Sequence, residues 1–139
     1  MNLKELPKTS DIILNYENGW LDIHLNNVEN RNALKQNLIK ELFTVFDVIS
    51  NNKQVRGVLI RGSNGIFCAG ADLKQMKKIA NSGTKAKGEA FDLSMVIGKL
   101  LTIINEAPQI VISVTEGYAF AGGFGIACAS DIVISLSDT

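Results

Sequence analysis

Phe67-Cys68-Ala69-Gly70-Ala71-Asp72-Leu73-Lys74 and, farther on, Gly117-Tyr118-Ala119-Phe120-Ala121-Gly122-Gly123-Phe124-Gly125 decide how this chain reads. Each is a turn of small residues placed after a short β-branched run, and the second opens into a small-residue helix from Gly122 to Ala129. A strand, a glycine-rich turn and a helix in succession leave N–H groups without partners, and such groups favour an anionic ligand atom. Small side chains let that atom reach the backbone. Taken singly, each turn reads first as a device for tight reversal and close helix packing. Neither is a phosphate-binding loop, because the Gly-x-x-x-x-Gly-Lys-Ser/Thr and Gly-x-Gly-x-x-Gly spacings are missing.

The flanking segments give these turns a frame. Val58-Leu59-Ile60 and Ile110-Val111-Ile112-Ser113-Val114 precede them as buried parallel strands, and Ile132-Val133-Ile134-Ser135 is a further strand. Between the first two, Phe91, Met95, Val96, Leu100, Leu101, Ile103 and Ile104 mark a helix that stops before Pro108. Strand, helix and strand of this length fit a right-handed crossover. Upstream, Leu34, Leu38, Leu42, Val45, Phe46 and Ile49 form one apolar stripe of a helix spanning Ala33 to Ser50. At the start, Ile12-Ile13-Leu14-Asn15-Tyr16 and Trp20-Leu21-Asp22-Ile23-His24-Leu25 flank Glu17-Asn18-Gly19, a hairpin signal. Residues 1–11 read as an N-terminal extension. Residues 75–88, rich in Lys, Gly, Ser and Ala, read as a mobile surface loop. The whole is one α/β domain over 1–139.

Composition narrows the function classes. The chain has 139 residues, 46% hydrophobic and 20% charged, which is the balance of a domain with a packed core. Fourteen basic and fourteen acidic residues cancel, so no global field draws nucleic acid or a membrane surface. Neither a leader-like amino terminus nor an apolar run long enough to span a bilayer is present, which places the expectation in the cytoplasm. Cys68 and Cys128 are expected as buried free thiols, and no Cys/His metal cluster exists. His24, the sole histidine, alternates with Leu21, Ile23 and Leu25 and reads as an exposed strand-face side chain rather than a general base.

Together the two turns resemble the paired signatures of the crotonase, or enoyl-CoA hydratase/isomerase, superfamily. The carriers are Phe67-x-Ala69-Gly70-Ala71-Asp72-Leu73-Lys74, then Gly117-x-Ala119-x-x-Gly122-Gly123 with Ser130-Asp131-Ile132-Val133-Ile134 behind it. Asn30-Arg31-Asn32-Ala33-Leu34 and Arg56-Gly57-Val58-Leu59-Ile60 support the match, which runs from about Ile12 to Thr139. The resemblance implies a ClpP/crotonase-like core of ββα units in a spiral, here ending before the family's C-terminal helices. It also implies an acyl-CoA thioester as substrate in fatty acid metabolism, with no cofactor beyond the coenzyme A of that substrate. The thioester oxygen then sits in an oxyanion hole between the N–H groups of Ala71 and Gly122. Arg31, Ala33, Ala69, Gly70, Ala71, Asp72, Leu73, Lys74, Tyr118, Phe120, Gly122 and Gly123 are implied to line the CoA and substrate channel. Arg31 and Lys74 read equally as ordinary exposed charges. Full-length members form trimers or hexamers, so a homo-oligomer is implied, with neither nucleic acid nor membrane as partner.

One departure bears on the reaction. Hydratases of the family use two glutamates, one three residues past the second oxyanion donor, and here that position is Gly125, which has no side chain to orient water. The other lies beyond Thr139. This shifts the expectation from a two-glutamate hydratase (a lyase) towards an isomerase-like member, or towards hydrolases and decarboxylases. Asp72, Glu116 and Asp131 offer no convincing replacement: Asp72 belongs to the first turn, and the other two sit at strand ends. The ending just after a core strand suggests a fragment with apolar surface exposed. The alternative functions are therefore a catalytically incomplete acyl-CoA-binding fragment or a non-enzymatic interaction domain. A dinucleotide binder is disfavoured by the absent glycine fingerprint.

Overall fold

The computed structural model of the protein describes residues 6–137. Its centre is a five-stranded sheet in the order β1 (Ile12–Glu17), β2 (Trp20–Leu25), β3 (Gly57–Gly62), β4 (Ile110–Thr115) and β5 (Ile132–Ser135). β1 and β2 are antiparallel; β2, β3, β4 and β5 run parallel. The hairpin forms where expected, because Asn18 and Gly19 both take positive φ, 52° and 86°, as a turn matching strand twist requires. The parallel pairs are joined by α1 (Gln36–Ser50), by α2 (Leu73–Ala80) with α3 (Ala86–Asn105), and by α4 (Gly122–Ala129).

Register puts Leu21 beside Val58 and Ile23 beside Ile60, and Val58 in turn beside Val111, so one face of the sheet is mainly apolar, with the buried hydroxyls of Ser113 and Thr115 on its β4 part. On it pack Leu38, Leu42, Val45 and Ile49 of α1, Leu100 and Ile104 of α3, and Ile126 of α4, each fully buried or nearly so. Burying a side chain of this size contributes about 1.5–3 kcal/mol apiece, which makes this layer the main source of stability. The other face carries Asp22, His24, Leu59, Arg61, Ile112 and Val114, all half-buried, and the exposed Ile132 and Ile134. There His24 Nε2 lies 3.0 Å from Asp22, and the Asp22 carboxylate also pairs with Arg61. Burial pushes the Asp22 carboxyl up, but hydrogen bonds from Arg61 and His24 outweigh it and hold the group below its ordinary 3.8.

Three expectations need correction, and one gains detail. Stretch 75–88, read as a loop, holds most of α2, a 3₁₀ turn over Gly83–Lys85 and the start of α3. α2 does carry apolar residues at helical spacing, Leu73, Met76 and Ile79, but the run is short and lysine-rich and Ile79 alone is buried; it is held also by its ends. Asp72 caps it by accepting the Lys74 N–H at 3.0 Å, and Lys77 and Lys78 complement its carboxyl end. Second, α1 starts at Gln36, not Ala33, because Arg31 and Asn32 adopt left-handed φ of 52° and 54° and Leu34 is tied to the first turn. Third, Cys68 is buried but Cys128 is exposed. Fourth, the extension is partly docked: the Ser10 and Asp11 N–H groups donate to the Glu41 carboxylate at 2.7 and 2.9 Å. Its first five residues lie outside those described.

Candidate functional site

The two turns, which follow β3 and β4 in the chain, meet each other. Cys68 forms a parallel bridge with Ala119: the Cys68 N–H donates to Tyr118 O at 2.9 Å and Phe120 N–H to Cys68 O at 3.0 Å. Gly123 packs so tightly on Cys68 that a Cβ there would overlap the Cys68 carbonyl. Gly70, at φ +86°, faces the second turn: a Cβ on it would lie 2.7 Å from Phe120 O and 3.4 Å from Gly122 N. Glycine is therefore required at both positions for close approach, and at Gly70 for its φ as well.

The segment before α1 splints the first turn. Ala69 N–H donates to Arg31 O at 3.0 Å, and Leu34 N–H to Gly70 O at 2.7 Å. These bonds use the backbone of the two residues before Ala71, and among the described residues the Ala71 N–H itself has no acceptor. At the second turn Gly123 N–H donates to Phe120 O at 2.8 Å and Gly125 N–H to Ala121 O at 2.9 Å, while Gly122 N–H, first in α4, has no acceptor. Among the described residues, then, Ala71 and Gly122 offer unengaged donors from two turns in contact. Chemically, such a pair suits one oxygen that gains negative charge.

The preceding residue, Ala121, sits at φ 46° and ψ −114°, a conformation costly for a side-chain-bearing residue. Its strain aims α4, and nothing in an alanine's identity announces it. Leu34 and Ile97 were also missed: a Cβ on Gly122 would meet Leu34 Cδ1 at 2.6 Å and Ile97 Cγ2 at 3.8 Å, so these two wall the Gly122 donor. Asn32, fully buried, was quoted only as part of a motif.

The remaining candidates fall into two groups. Ala33 and Gly123 are buried, Ala69 and Asp72 half-buried, and all four shape the turns. Arg31, Leu73, Lys74, Tyr118 and Phe120 are exposed and free to meet a ligand. The Tyr118 and Phe120 rings stack, centroids 5.3 Å apart, beside a groove of about 460 Å³ that Phe124 and Val133 also line. A second groove, about 370 Å³, runs between α1, α2 and α3 along Ile39, Gln75, Ile79, Leu93 and Val96. Neither groove is lined by Ala71 or Gly122 themselves.

Glu89, Asp92 and Lys78 line the groove between α1, α2 and α3, whereas the carboxylates of Asp72 and Asp131 are otherwise engaged. A Cβ on Gly125 would meet Leu101 Cδ1 at 2.9 Å, so a leucine fills the side of α4 from which a carboxylate would project. Asp72 is spent on the α2 cap, and Asp131 accepts the Val111 N–H at 2.8 Å to pin β5. Burial pushes the Cys68 thiol up to about 11, with the Gly70 N–H opposing, so it stays protonated at neutral pH. No group of three or more metal-ligating side chains occurs among the described residues, and no helix there is long and apolar enough to cross a membrane.

Comparison with known proteins fits this geometry. The Enoyl-CoA hydratase/isomerase family profile matches residues 15–138. Human mitochondrial methylglutaconyl-CoA hydratase is 34% identical over 86% of this chain, which covers 34% of that protein. The ethylmalonyl-CoA decarboxylase of Xenopus tropicalis is 29% identical over 83% of the chain and 37% of its own length. Among solved structures, Pseudomonas aeruginosa AtuE superposes with a TM-score of 0.86 at 35% identity, covering 94% of this chain and 49% of the other. An enoyl-CoA hydratase/isomerase from Marinobacter aquaeolei gives 0.82 at 35% identity, covering 90% and 48%. The chain thus spans little more than a third of those curated relatives and about half of those solved chains. With the family profile over most of its length and the crotonase fold around its two turns, this chain belongs to the enoyl-CoA hydratase/isomerase family of the crotonase superfamily.

Proposed function

We propose that this chain binds an acyl-CoA thioester and stabilises the enolate-like oxyanion of that thioester with the N–H groups of Ala71 and Gly122. The observation that carries the reading is the pair of unengaged donors on two turns held together by the Cys68–Ala119 bridge. Donors fixed in advance need no reorganisation as charge develops, and each is worth about 3–4 kcal/mol of transition-state stabilisation. Ile97 beside Gly122, and Leu93 and Val96 along the neighbouring groove, offer the acyl group an apolar path. We assign Arg31 and Lys74 to the phosphates of CoA, a reading supported by their charge and exposure.

The reaction is isomerase-like rather than that of a two-glutamate hydratase. Gly125 supports this, since it has no carboxylate and faces Leu101. A second reading, a binding domain without turnover, is favoured by the engagement of Asp72 and Asp131 in structural hydrogen bonds. We further assign the chain to the cytoplasm, to a homo-oligomer, and to chemistry needing no cofactor besides the substrate's coenzyme A.

Calorimetric titration with crotonyl-CoA, with free CoA and NAD as controls, tests the proposal. Saturable binding of the thioester, tighter than that of CoA and absent with NAD, is expected. Equal affinity for crotonyl-CoA and CoA would remove the oxyanion role. Exchange of thioester α-protons in heavy water then separates the two readings, because only an enzyme with an acid/base group promotes it.

A further inference from the structure

We propose that Asn32 is a positioning residue that sets the aim of the Ala71 N–H; the proposal rests on the oxyanion reading above. Asn32 is fully buried and left-handed, at φ 54°, a conformation asparagine tolerates better than most residues. Its backbone N–H and both polar atoms of its side chain are engaged. Its backbone N–H donates to Asn27 O at 2.9 Å, and its Oδ1 accepts the Asn27 N–H at 2.9 Å. Its Nδ2 donates to Ser63 O at 3.3 Å and Ile66 O at 2.7 Å.

The two bonds with Asn27 fix the local turn after β2, and the two from Nδ2 lock that turn onto the chain after β3. The consequence falls on the neighbours of Asn32. Arg31, also left-handed, presents its carbonyl to Ala69 N–H, and Leu34 presents its N–H to Gly70 O. Ala69 and Gly70 are thereby held on the two residues before Ala71, and Ile66 is held one residue before the buried Phe67. Two successive left-handed residues are costly and persist only where their surroundings fix them. The Asn32 carboxamide is what fixes them: without it the Ser63 and Ile66 carbonyls and the Asn27 N–H lose their partner in a buried place. Asn32 never reaches the ligand; it acts through the register of Arg31 and Leu34 against the first turn.

The test uses para-dimethylaminocinnamoyl-CoA, whose absorption moves to the red when its thioester oxygen accepts hydrogen bonds. Asn32→Asp keeps the size but replaces both donors with a charged acceptor facing two carbonyls; Asn32→Gly keeps the left-handed backbone and removes the carboxamide. Both variants are expected to bind free CoA as the wild type does. Their affinity for the thioester probe should fall about 100-fold, the penalty for a misaimed group, and most of the red shift should vanish. A merely structural role would lower the folded fraction yet leave the shift of each bound probe intact, and that result overturns the proposal. Should both variants unfold, replacing Phe67 by its α-hydroxy acid weakens the Ile66 carbonyl as acceptor without touching any side chain. A partial loss of red shift is then expected, and an unchanged shift refutes the assignment. No shift in the wild type overturns the oxyanion reading itself, whereas a wild-type shift that survives in the variants overturns Asn32 alone.

Discussion

Gly70 and Gly122 stand so close that a Cβ on Gly70 would lie 3.4 Å from the Gly122 nitrogen, and 2.9 Å from the Ala121 Cβ between them. The two turns thus meet here as well as at the Cys68–Ala119 bridge, and glycine at position 70 is the condition of this contact. Gly70→Ala places a methyl against the Phe120 carbonyl, backbone that cannot swing aside, and forces alanine to φ +86°. The two effects together should destabilise the fold by about 2–4 kcal/mol. Urea unfolding checks this through the transition midpoint; a loss below about 1 kcal/mol would mean that the turns are not in the contact described.

Asp72 acts as a helix cap. Asp72→Ala should cost about 1 kcal/mol through loss of the Lys74 N–H acceptor, and Asp72→Asn should restore most of it. If Asp72 were the proton shuttle instead, Asp72→Asn would keep stability but abolish any α-proton exchange. Parallel denaturation and exchange measurements on the two variants distinguish these roles.

The sequence showed where the turns lie, but not how they are aimed. Alternation and β-branching placed the five strands, and the stripe Leu38, Leu42, Val45, Phe46 and Ile49 placed α1, because burial on one face leaves a period in the sequence. α2 left only a brief one, Leu73, Met76 and Ile79 among lysines, which is too short to stand out from a solvated loop. Likewise the glycines at 70, 122 and 123 were legible as small residues. The strain at Ala121, the Leu34 and Ile97 walls and the buried Asn32 clasp arise only when distant segments meet. Cys128 was misjudged because its apolar neighbours lie on a helix whose own face at 128 looks outward.

The two thiols should differ sharply. Cys128 is exposed, whereas burial lifts Cys68 from an ordinary 9.0 to about 11. Iodoacetamide at pH 8 should therefore label Cys128 alone in the folded protein, with Cys68 labelled only after unfolding. The same shift has a sign for stability. Below pH 9 both states hold the Cys68 proton and the thiol contributes no pH dependence; between pH 9 and 11 the unfolded state loses it first. Stability should fall across that window by about 1.4 kcal/mol per pH unit relative to Cys68→Ala. Parallel pH profiles for the two proteins would show instead that Cys68 is not held protonated.

The most direct test of the account deletes one donor and no side chain: replacing Gly122 by glycolic acid turns the Ala121–Gly122 amide into an ester, which removes the N–H and also weakens Ala121 O as acceptor of the Gly125 N–H. Binding of an enolate-mimicking acyl-CoA thioester is then measured by calorimetry against free CoA in the same folded protein. The account predicts that affinity for the mimic falls about 100-fold or more, while affinity for CoA stays as it was. Unchanged affinity for the mimic would contradict it, because the oxyanion would then draw nothing from the Gly122 backbone.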